Sequence, residues 1–200
     1  MICKICLKQF NDFNFINLFS SQPICRKCFR EMRPIFHSFK VENRINGLAI
    51  YAYNQKIREM LYLLKGAYDY EMSKYFLHHF KEYLRLRFYN YTLVFAPSSK
   101  EDDEERGFNH VVSIFSVLKL KSLQILHKTK NIKQSDQSKT DREKIGQYLD
   151  IDEIDLRDKK ILLVDDVYTT GSTIKACINL LEKRGSKKIF VLVMSKRFNN

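Results

Sequence analysis

Four of the five cysteines in this sequence fall into two pairs, each with the spacing C-x2-C. Cys3 and Cys6 form the first pair, Cys25 and Cys28 form the second, and 18 residues separate the pairs. Two turns of this kind can direct four thiolates at one Zn²⁺ ion, with Zn–S bonds of about 2.3 Å. Two disulfides are the alternative, but they need an oxidising compartment, of which the sequence gives no sign. Because thiolates fill all four corners and leave no open position, we predict a structural four-cysteine zinc finger over residues 1–34.

A second chemical pattern lies in the segment 161–173, which reads ILLVDDVYTTGST. Its branched apolar residues predict a buried strand that ends at Asp165 and Asp166, and ligands bind at this end of strands in open parallel sheets. A polar turn then leads into a helix, whose first amides and dipole favour a phosphate group. The residues of this phosphate loop are Thr169, Thr170, Gly171, Ser172 and Thr173. The two carboxylates suit sugar hydroxyls or a divalent cation beside that phosphate. Each piece alone also fits an ordinary strand end with a polar helix start, but the combination favours a sugar-phosphate site.

The elements that must position these residues alternate between strands and helices. Short apolar runs predict strands at 48–53, 92–96, 122–127, 161–164 and 189–194. Helical spacing predicts helices after the N-cap Asn54, over 68–87, around 108–115, near 141–148 and over 172–184. Residues 34–47 are typical of a linker, and Cys177 lies at core spacing on the last helix. Strands that alternate with helices imply right-handed crossovers and a mostly parallel α/β sheet.

All 13 positions of the segment 161–173 are similar to the phosphoribosyl pyrophosphate (PRPP) signature of type I phosphoribosyltransferases. Three further features accompany it: the cysteine pairs ahead of the α/β part, the sequence LLKG at 63–66 and the sequence ERGFN at 105–109. Together these features resemble the ComF family of competence proteins over essentially the whole chain. By this resemblance, Asp165 and Asp166 contact the ribose hydroxyls, and the phosphate loop holds the 5′-phosphate.

The resemblance also implies an architecture and a set of partners. The fold is expected to be a type I phosphoribosyltransferase-like, mostly parallel sheet flanked by helices, with the zinc finger in front. The implied division is zinc finger 1–34, linker and helical or hood segment 35–91, and phosphoribosyltransferase-like domain 92–200. Mg²⁺ is expected to accompany PRPP, and a helicase-like ATPase of the ComFA type is the expected partner in DNA uptake during natural transformation. Further ligand-side candidates carried over from the family are Lys65, Arg106, Asn109, Gln134 and Arg142.

Composition and charge set the class of protein and of partner. The chain has 200 residues, of which 44% are hydrophobic and 29% charged, as in globular proteins. No apolar run is long enough to span a membrane and no signal peptide is recognisable, so we expect a cytoplasmic protein that reaches the inner face of the membrane only through partners. A net charge of +12 favours phosphate-bearing partners. Residues 83–91 interleave arginines with aromatic rings, on which bases of single-stranded DNA can stack, although buried rings with a solvated basic face are the alternative.

Two functions therefore stay open on the sequence. The first is a transferase-like enzyme that binds PRPP with Mg²⁺ and uses its ribose phosphate, with pyrophosphate as the leaving group. The second is a non-catalytic adaptor that binds single-stranded DNA or a helicase and keeps the phosphoribosyl pocket as a sensor or relic. An acidic run from Glu101 to Glu105 lies in the predicted pyrophosphate-side loop, where the family is typically basic. We expect these five carboxylates to make PRPP binding strongly dependent on Mg²⁺.

Overall fold

The computed structural model describes residues 1–11, 23–129 and 148–198 of the chain. Its strands are β1 (Pro34–Val41), β2 (Ile45–Ala52), β3 (Thr92–Phe95), β4 (Ser122–Leu123), β5 (Leu126–Lys128), β6 (Leu149–Ile151), β7 (Lys160–Tyr168) and β8 (Lys188–Lys196). Its helices are α1 (Arg26–Met32), α2 (Gln55–Lys65), α3 (Ser73–Phe76), α4 (Lys81–Arg87), α5 (Lys100–Arg106), α6 (His110–Phe115) and α7 (Ser172–Lys183). Short 3-10 turns lie at Tyr70–Met72 and Ser116–Leu118.

Six of these strands form one sheet in the order β1-β2-β8-β7-β3-β4. From β2 to β4 all neighbours pair in parallel, and only the edge strand β1 is antiparallel, to β2. β5 and β6 form a separate antiparallel pair. The central strands β7 and β8 are long apolar runs, as expected for strands with neighbours on both sides and helices over both faces. The prediction of a mostly parallel sheet flanked by helices is confirmed.

The two faces of the sheet bury separate hydrophobic clusters. On one face α2, α3, α4 and α6 pack over Leu162 and Val164 of β7. On the other face α7 and the β5–β6 pair pack over Ile161 and Leu163. Successive side chains of a strand point to opposite faces, so β7 contributes to both clusters. The strand does not end at Asp165 and Asp166, as predicted, but continues to Tyr168, because Val167 and Tyr168 still pair with β8. Cys177 is fully buried in the second cluster and burial raises its pKa, which fits the prediction of a core residue.

The helix predicted after Asn54 holds Lys65 at a defined position. The side-chain oxygen of Asn54 accepts a hydrogen bond from the Ile57 amide at 3.0 Å, as an N-cap does. The apolar side chains spaced along α2 are buried in the first cluster, and the helix ends at Lys65 because Gly66 follows. Lys65 therefore projects from the last turn of a well-anchored helix.

Several predicted elements differ from the observed ones. Residues 34–47, predicted as a linker, form β1 and the start of β2; β1 is an edge strand, so it needs few apolar residues and its polar sequence gives little strand signal. The helix predicted over 68–87 is interrupted between α3 and α4, and it is preceded by Tyr68, whose φ is +57°. The strand predicted at 122–127 is two short strands, β4 and β5.

The acidic run is a helix and not a loop. The Ser99 side chain caps α5 by accepting a hydrogen bond from the Asp102 amide at 3.5 Å. The carboxylates of the first turn stabilise the helix, because they lie at the positive end of its dipole. Gly107, with φ of +76°, ends the helix. The helix predicted near 141–148 falls almost wholly outside the described residues. Across the described part of the chain, the helices are too short or too polar to cross a membrane.

Candidate functional site

The four paired cysteines come together at one point. The sulfur atoms of Cys3, Cys6, Cys25 and Cys28 all lie within 4.8 Å of one another. Cys6 Sγ and Cys25 Sγ are 3.9 Å apart, far longer than a disulfide bond and close to the ~3.8 Å that separates two ligands of a tetrahedral zinc ion. All five cysteines are free thiols. The cluster has the geometry of a four-thiolate metal site.

The surroundings of these thiols also fit a cation. Burial disfavours the thiolate of Cys3, but backbone amides that point at its sulfur lower its pKa to about 6. One of these amides belongs to Cys25 and lies 3.3 Å from Cys3 Sγ. Burial and the neighbouring thiols raise the pKa of Cys28, because negative charges this close repel one another. Four ionised thiols can therefore coexist here only around a positive ion, and a metal such as zinc suits this donor set.

The cysteine cluster is packed against the body of the protein. Ile24 is buried with the cysteines, and Ile5 and Tyr75 contact both this cluster and the core of the sheet. Phe29 on α1 stacks at 4.3 Å, between ring centroids, on His79 of the segment that joins α3 to α4. A metal held by the four cysteines would therefore fix the N-terminal segment onto the helical layer.

The predicted phosphate loop joins β7 to α7 at the carboxyl edge of the sheet. Gly171 is the N-cap of α7 and has no side chain to cap the helix. The Ser172 amide, the first of the helix, donates to the Thr170 hydroxyl at 3.5 Å. Gly171 has φ of +78°, and a Cβ atom there would lie 2.3 Å from the hydroxyl oxygen of Tyr168. The hydroxyls of Thr170 and Ser172 are 3.0 Å apart, while Thr169 is exposed and Thr173 half-buried. Free amides and hydroxyls at a helix N-terminus are a suitable set of donors for a phosphate.

Tyr168 shapes this loop, although the sequence alone did not single it out. Its ring lies against Gly171. Phe39 packs on the same ring at 4.8 Å between centroids, and Lys196 Nζ lies 5.7 Å from the ring centroid. The carbonyl oxygen of Tyr168 accepts a hydrogen bond from the Arg197 amide at 3.0 Å. These contacts hold the loop in a conformation that a Gly at 171 permits.

The two aspartates at the end of β7 have different partners. Asp166 is buried, and its Oδ2 forms an ion pair with Nζ of Lys65 from the end of α2. His110, at the start of α6, places Nε2 3.4 Å from the same oxygen. Asp165 Oδ1 accepts from the Asp166 amide at 2.9 Å. Three elements, α2, α6 and β7, therefore converge on Asp166, and Asp165 is its immediate neighbour.

These contacts separate the acidities of the two carboxyl groups. Burial and the adjacent charge of Asp166 raise the pKa of Asp165 to about 8. Burial alone would do the same to Asp166, but Lys65 and His110 lower its pKa well below the usual range. Burial lowers the pKa of His110, which is therefore neutral near pH 7. These opposite shifts favour the ionised form of Asp166 beside Lys65 and the protonated form of Asp165, so the pair suits hydrogen bonds to sugar hydroxyls.

The ERGFN segment builds a polar network around Asp103. Its carboxylate accepts from Arg106 at 2.7 Å and from Asn109 at 2.8 Å, and it also bonds to the hydroxyl of Ser98. The Asn109 side chain also donates to Ser98 at 2.7 Å and caps α6 by accepting from the Val112 amide at 3.0 Å. The side chain of Arg106 is only 8% exposed, and its Nε has no partner among the described residues. The network fixes the turn between α5 and α6, the two helices that follow β3 in the chain.

A small cavity of about 260 Å³ opens beside this network at the carboxyl end of β3. Its polar lining comes from Ser98, Lys100, Asp103, Asn109, Gln124, His127 and Lys128. The cavity lies between the loop after β3 and strand β5. It is thus on the side where the predicted pyrophosphate group would sit.

Most of the predicted site residues fall at one edge of the sheet. Asp165 and Asp166 lie in the second half of β7, the phosphate loop follows that strand, and Lys65 reaches Asp166 directly. Gln134 and Arg142 lie outside the described residues. His110 was missed by the sequence reasoning. In the sequence, His110 stands directly after the ERGFN motif, at the start of an apolar helix. Nothing in that local pattern indicates a contact with Asp166.

Comparison with known proteins identifies the class of domain that this fold and site define. Residues 104–197 match the phosphoribosyl transferase domain family. Among solved structures, a purine phosphoribosyltransferase from Pyrococcus horikoshii matches with a TM-score of 0.41 and 20% identity, covering 62% of this chain and 73% of that one. A hypoxanthine phosphoribosyltransferase from Staphylococcus aureus matches with a TM-score of 0.41 and 12% identity, covering 66% of this chain and 76% of that one. At these TM-scores the likeness assigns no residue roles.

Curated relatives are more specific. Competence protein ComFC of Streptococcus pneumoniae is 34% identical over 153 residues, an alignment that covers 74% of this chain and 68% of the relative. Competence protein ComFC of Bacillus subtilis is 31% identical over 182 residues, covering 88% of this chain and 74% of the relative. The chain belongs to the ComFC family of competence proteins and contains a phosphoribosyltransferase domain.

Proposed function

We propose that this protein binds PRPP together with Mg²⁺ and uses its ribose phosphate during DNA uptake in natural transformation. One observation carries the binding proposal: Asp165 and Asp166, in the second half of β7, are followed directly by the polar turn at the N-terminus of α7. This edge is where parallel α/β sheets bind ligands. A sugar phosphate needs hydroxyl partners and an anion site a few ångströms apart, and this loop supplies both.

The proposed roles follow from the chemistry of each group. The amides and hydroxyls from Thr169 to Thr173 bind the 5′-phosphate. Asp166 accepts from a ribose hydroxyl, while Asp165, protonated before binding, donates to or accepts from the other. Lys65 supplies positive charge beside the ribose. Mg²⁺, when bound, would neutralise the pyrophosphate and stabilise it as a leaving group.

Positive charge builds up at C1 of the ribose as pyrophosphate leaves. The ionised Asp166 is placed to stabilise that charge, and the polar cavity after β3 would receive the pyrophosphate. The bond between C1 and pyrophosphate breaks, and an acceptor nitrogen forms the new bond at C1 with loss of its proton to solvent. The acceptor is a base or an amine.

A pyrophosphate-release assay tests this proposal. PRPP and Mg²⁺ are incubated with the protein and a panel of purines, pyrimidines and amines, and released pyrophosphate is measured. We expect release that depends on one acceptor and is lost in the variant Asp165→Asn/Asp166→Asn. Cys177→Ala, which alters only the core, is the matched control and should retain release. Release that is absent for every acceptor, with PRPP still bound, would support a non-catalytic role.

That non-catalytic role is the second candidate. Two features favour it: Arg106 and Asn109 are engaged by Asp103, and the five-carboxylate helix α5 lies next to the pyrophosphate side. Here PRPP binding is a signal, and the protein acts as an adaptor for single-stranded DNA and for a ComFA-type helicase-like ATPase. Retained transformation in a strain whose protein releases no pyrophosphate would support the adaptor.

The proposal extends to the organisation of the chain. Residues 1–34 form a structural zinc finger, 35–91 the linker and helical or hood segment, and 92–200 the phosphoribosyltransferase-like domain. The middle segment also contributes β1 and β2 to the edge of the sheet. The protein acts in the cytoplasm, where reduced thiols can hold zinc, and it reaches the inner face of the membrane through its partners. Separate expression of the zinc finger and limited proteolysis of the whole protein test these boundaries.

A further inference from the structure

Lysines line the edge of the sheet opposite to the phosphate loop. The amino ends of the parallel strands share this edge, and the segments that lead into β4, β7 and β8 carry two lysines each. These six residues, which we call the lysine face, are Lys119, Lys121, Lys159, Lys160, Lys187 and Lys188. All are exposed except Lys160, which is half-buried. A surface of this extent suits a ligand with several phosphates better than one with a single phosphate.

A cleft opens within this face. Its volume is about 700 Å³, and its lining includes Tyr89, Asn90, Lys121, Lys159 and Lys160. Tyr89 precedes β3 and is 75% exposed, so the ring is available to a ligand. The cleft thus combines positive charge with an exposed aromatic ring.

The lysine face has little acidic compensation. Within the described ranges, none of its six lysines forms a salt bridge with a carboxylate. Asp155 is bonded to Arg157, and Glu182 is paired with Arg44. Asp158 is the carboxylate in the lining of the cleft. The positive charges are therefore available to an external polyanion.

The opposite edge carries a strongly acidic helix. There α5 presents five consecutive carboxylates, from Glu101 to Glu105, beside the loop after β3. A polynucleotide would be repelled from that edge and attracted to the lysine face. The face spans the starts of four adjacent strands, or roughly 15 Å at the usual strand spacing, which suits an extended chain of phosphates. An exposed ring favours unpaired bases, because a base can stack on tyrosine only when it is free of its duplex.

We propose that the lysine face and Tyr89 bind single-stranded nucleic acid, and that this surface can be occupied together with the phosphoribosyl site. The proposal deepens the nucleic-acid part of the proposed function and rests on it. β7 separates the two surfaces: from Lys160 to Tyr168 the strand spans about 25 Å. Each ligand can therefore bind without contacting the other.

Fluorescence anisotropy with a labelled oligothymidylate of about 20 nucleotides tests the surface at several salt concentrations. For the triple variant Lys121→Gln/Lys159→Gln/Lys188→Gln, we expect weaker binding and a slope of log K against log salt that is smaller by about 2, or ~0.7 per lost phosphate contact. Tyr89→Ala should weaken binding about tenfold with no change in the slope. The charge-matched control Lys8→Gln/Lys27→Gln/Lys74→Gln, with lysines on the N-terminal segment, α1 and α3, should bind like the wild type.

Two further measurements separate this proposal from its alternatives. Saturating PRPP and Mg²⁺ should leave the anisotropy of the protein–oligonucleotide complex unchanged, whereas displacement would place the DNA in the phosphoribosyl site and overturn the proposal. A duplex of the same length should bind more weakly and be insensitive to Tyr89→Ala. If the triple variant and its control bind the oligonucleotide equally well, the lysine face is not the binding surface and the proposal is refuted. The nucleic acid would then bind another surface of the protein. Failure of PRPP binding alone would refute the ribose-phosphate proposal and leave this one standing.

Discussion

Replacing Gly171 by alanine should destabilise the phosphate loop, and the loss in free energy of unfolding follows from the backbone and contacts of Gly171. Gly171 has φ of +78°, a region that costs an L-residue roughly 1–2 kcal/mol, partly offset by the lower entropy of the unfolded chain. The new Cβ would also lie 2.3 Å from the Tyr168 hydroxyl and 2.6 Å from its ring. Overpacking of this kind adds about 1–3 kcal/mol. We expect Gly171→Ala to lower the free energy of unfolding by roughly 2–4 kcal/mol and to weaken PRPP binding about tenfold, because the loop amides move.

Gly107 provides a matched control. Its φ of +76° is nearly the same, but a Cβ atom there would have no neighbour within 4 Å. Gly107→Ala should therefore lose only the backbone contribution, about 1 kcal/mol in urea denaturation. Combining Gly171→Ala with Tyr168→Ala should recover most of the difference between the two glycine variants. Equal losses for Gly107→Ala and Gly171→Ala, with unchanged PRPP affinity, would show that Tyr168 does not fix the loop.

Three further predictions concern the metal, the acid pair and the acidic helix. Metal analysis should find one zinc per chain, lost together with thermal stability in Cys3→Ser but retained in Cys177→Ser; a metal-free protein of unchanged stability would exclude the zinc site. The pKa of Asp165 is raised to about 8, so the folded state holds a proton that the unfolded chain releases near pH 4. The free energy of unfolding should therefore fall as the pH rises from about 4 to about 8. Asp165→Asn should flatten this profile and stabilise the ligand-free protein at pH 8 by roughly 1–3 kcal/mol, and a profile identical to that of the wild type would contradict the assignment. Glu101→Gln/Glu104→Gln should tighten PRPP binding roughly threefold at low Mg²⁺ and leave it unchanged at high Mg²⁺, whereas an unaltered Mg²⁺ dependence would place α5 away from the ligand.

The parts of the fold that sequence predicted best are those with strong local signals. α7 and the N-cap Asn54 each combine an apolar period with a defined start, and each is observed close to its predicted position. β7 begins where its apolar run predicts, but it continues past Asp165 and Asp166 to Tyr168. The cysteine spacing was equally informative, because few arrangements other than a shared metal explain two C-x2-C pairs. In these segments local pattern and tertiary packing favour the same structure.

Other parts depend on contacts that no local pattern encodes. β1 is polar because it is an edge strand, and its pairing with β2 is visible only when both are placed in the sheet. The acidic run was predicted as a loop from the family resemblance, although Ser99 and Gly107 are good helix ends. The contact of His110 with Asp166 joins residues far apart in sequence, α6 to β7, and arises only from packing on one face of the sheet.

Isothermal titration of the zinc-loaded protein with PRPP, in the presence and absence of Mg²⁺, tests the central claim most directly. We predict saturable binding of one PRPP per chain that depends on Mg²⁺ and is reduced at least tenfold, by about 1.4 kcal/mol, in Asp165→Asn/Asp166→Asn. Circular dichroism of the variant would verify that it is folded. A folded wild-type protein that shows no saturable binding, or a double variant that binds PRPP as tightly as the wild type, would contradict the assignment of the β7–α7 edge as a phosphoribosyl site.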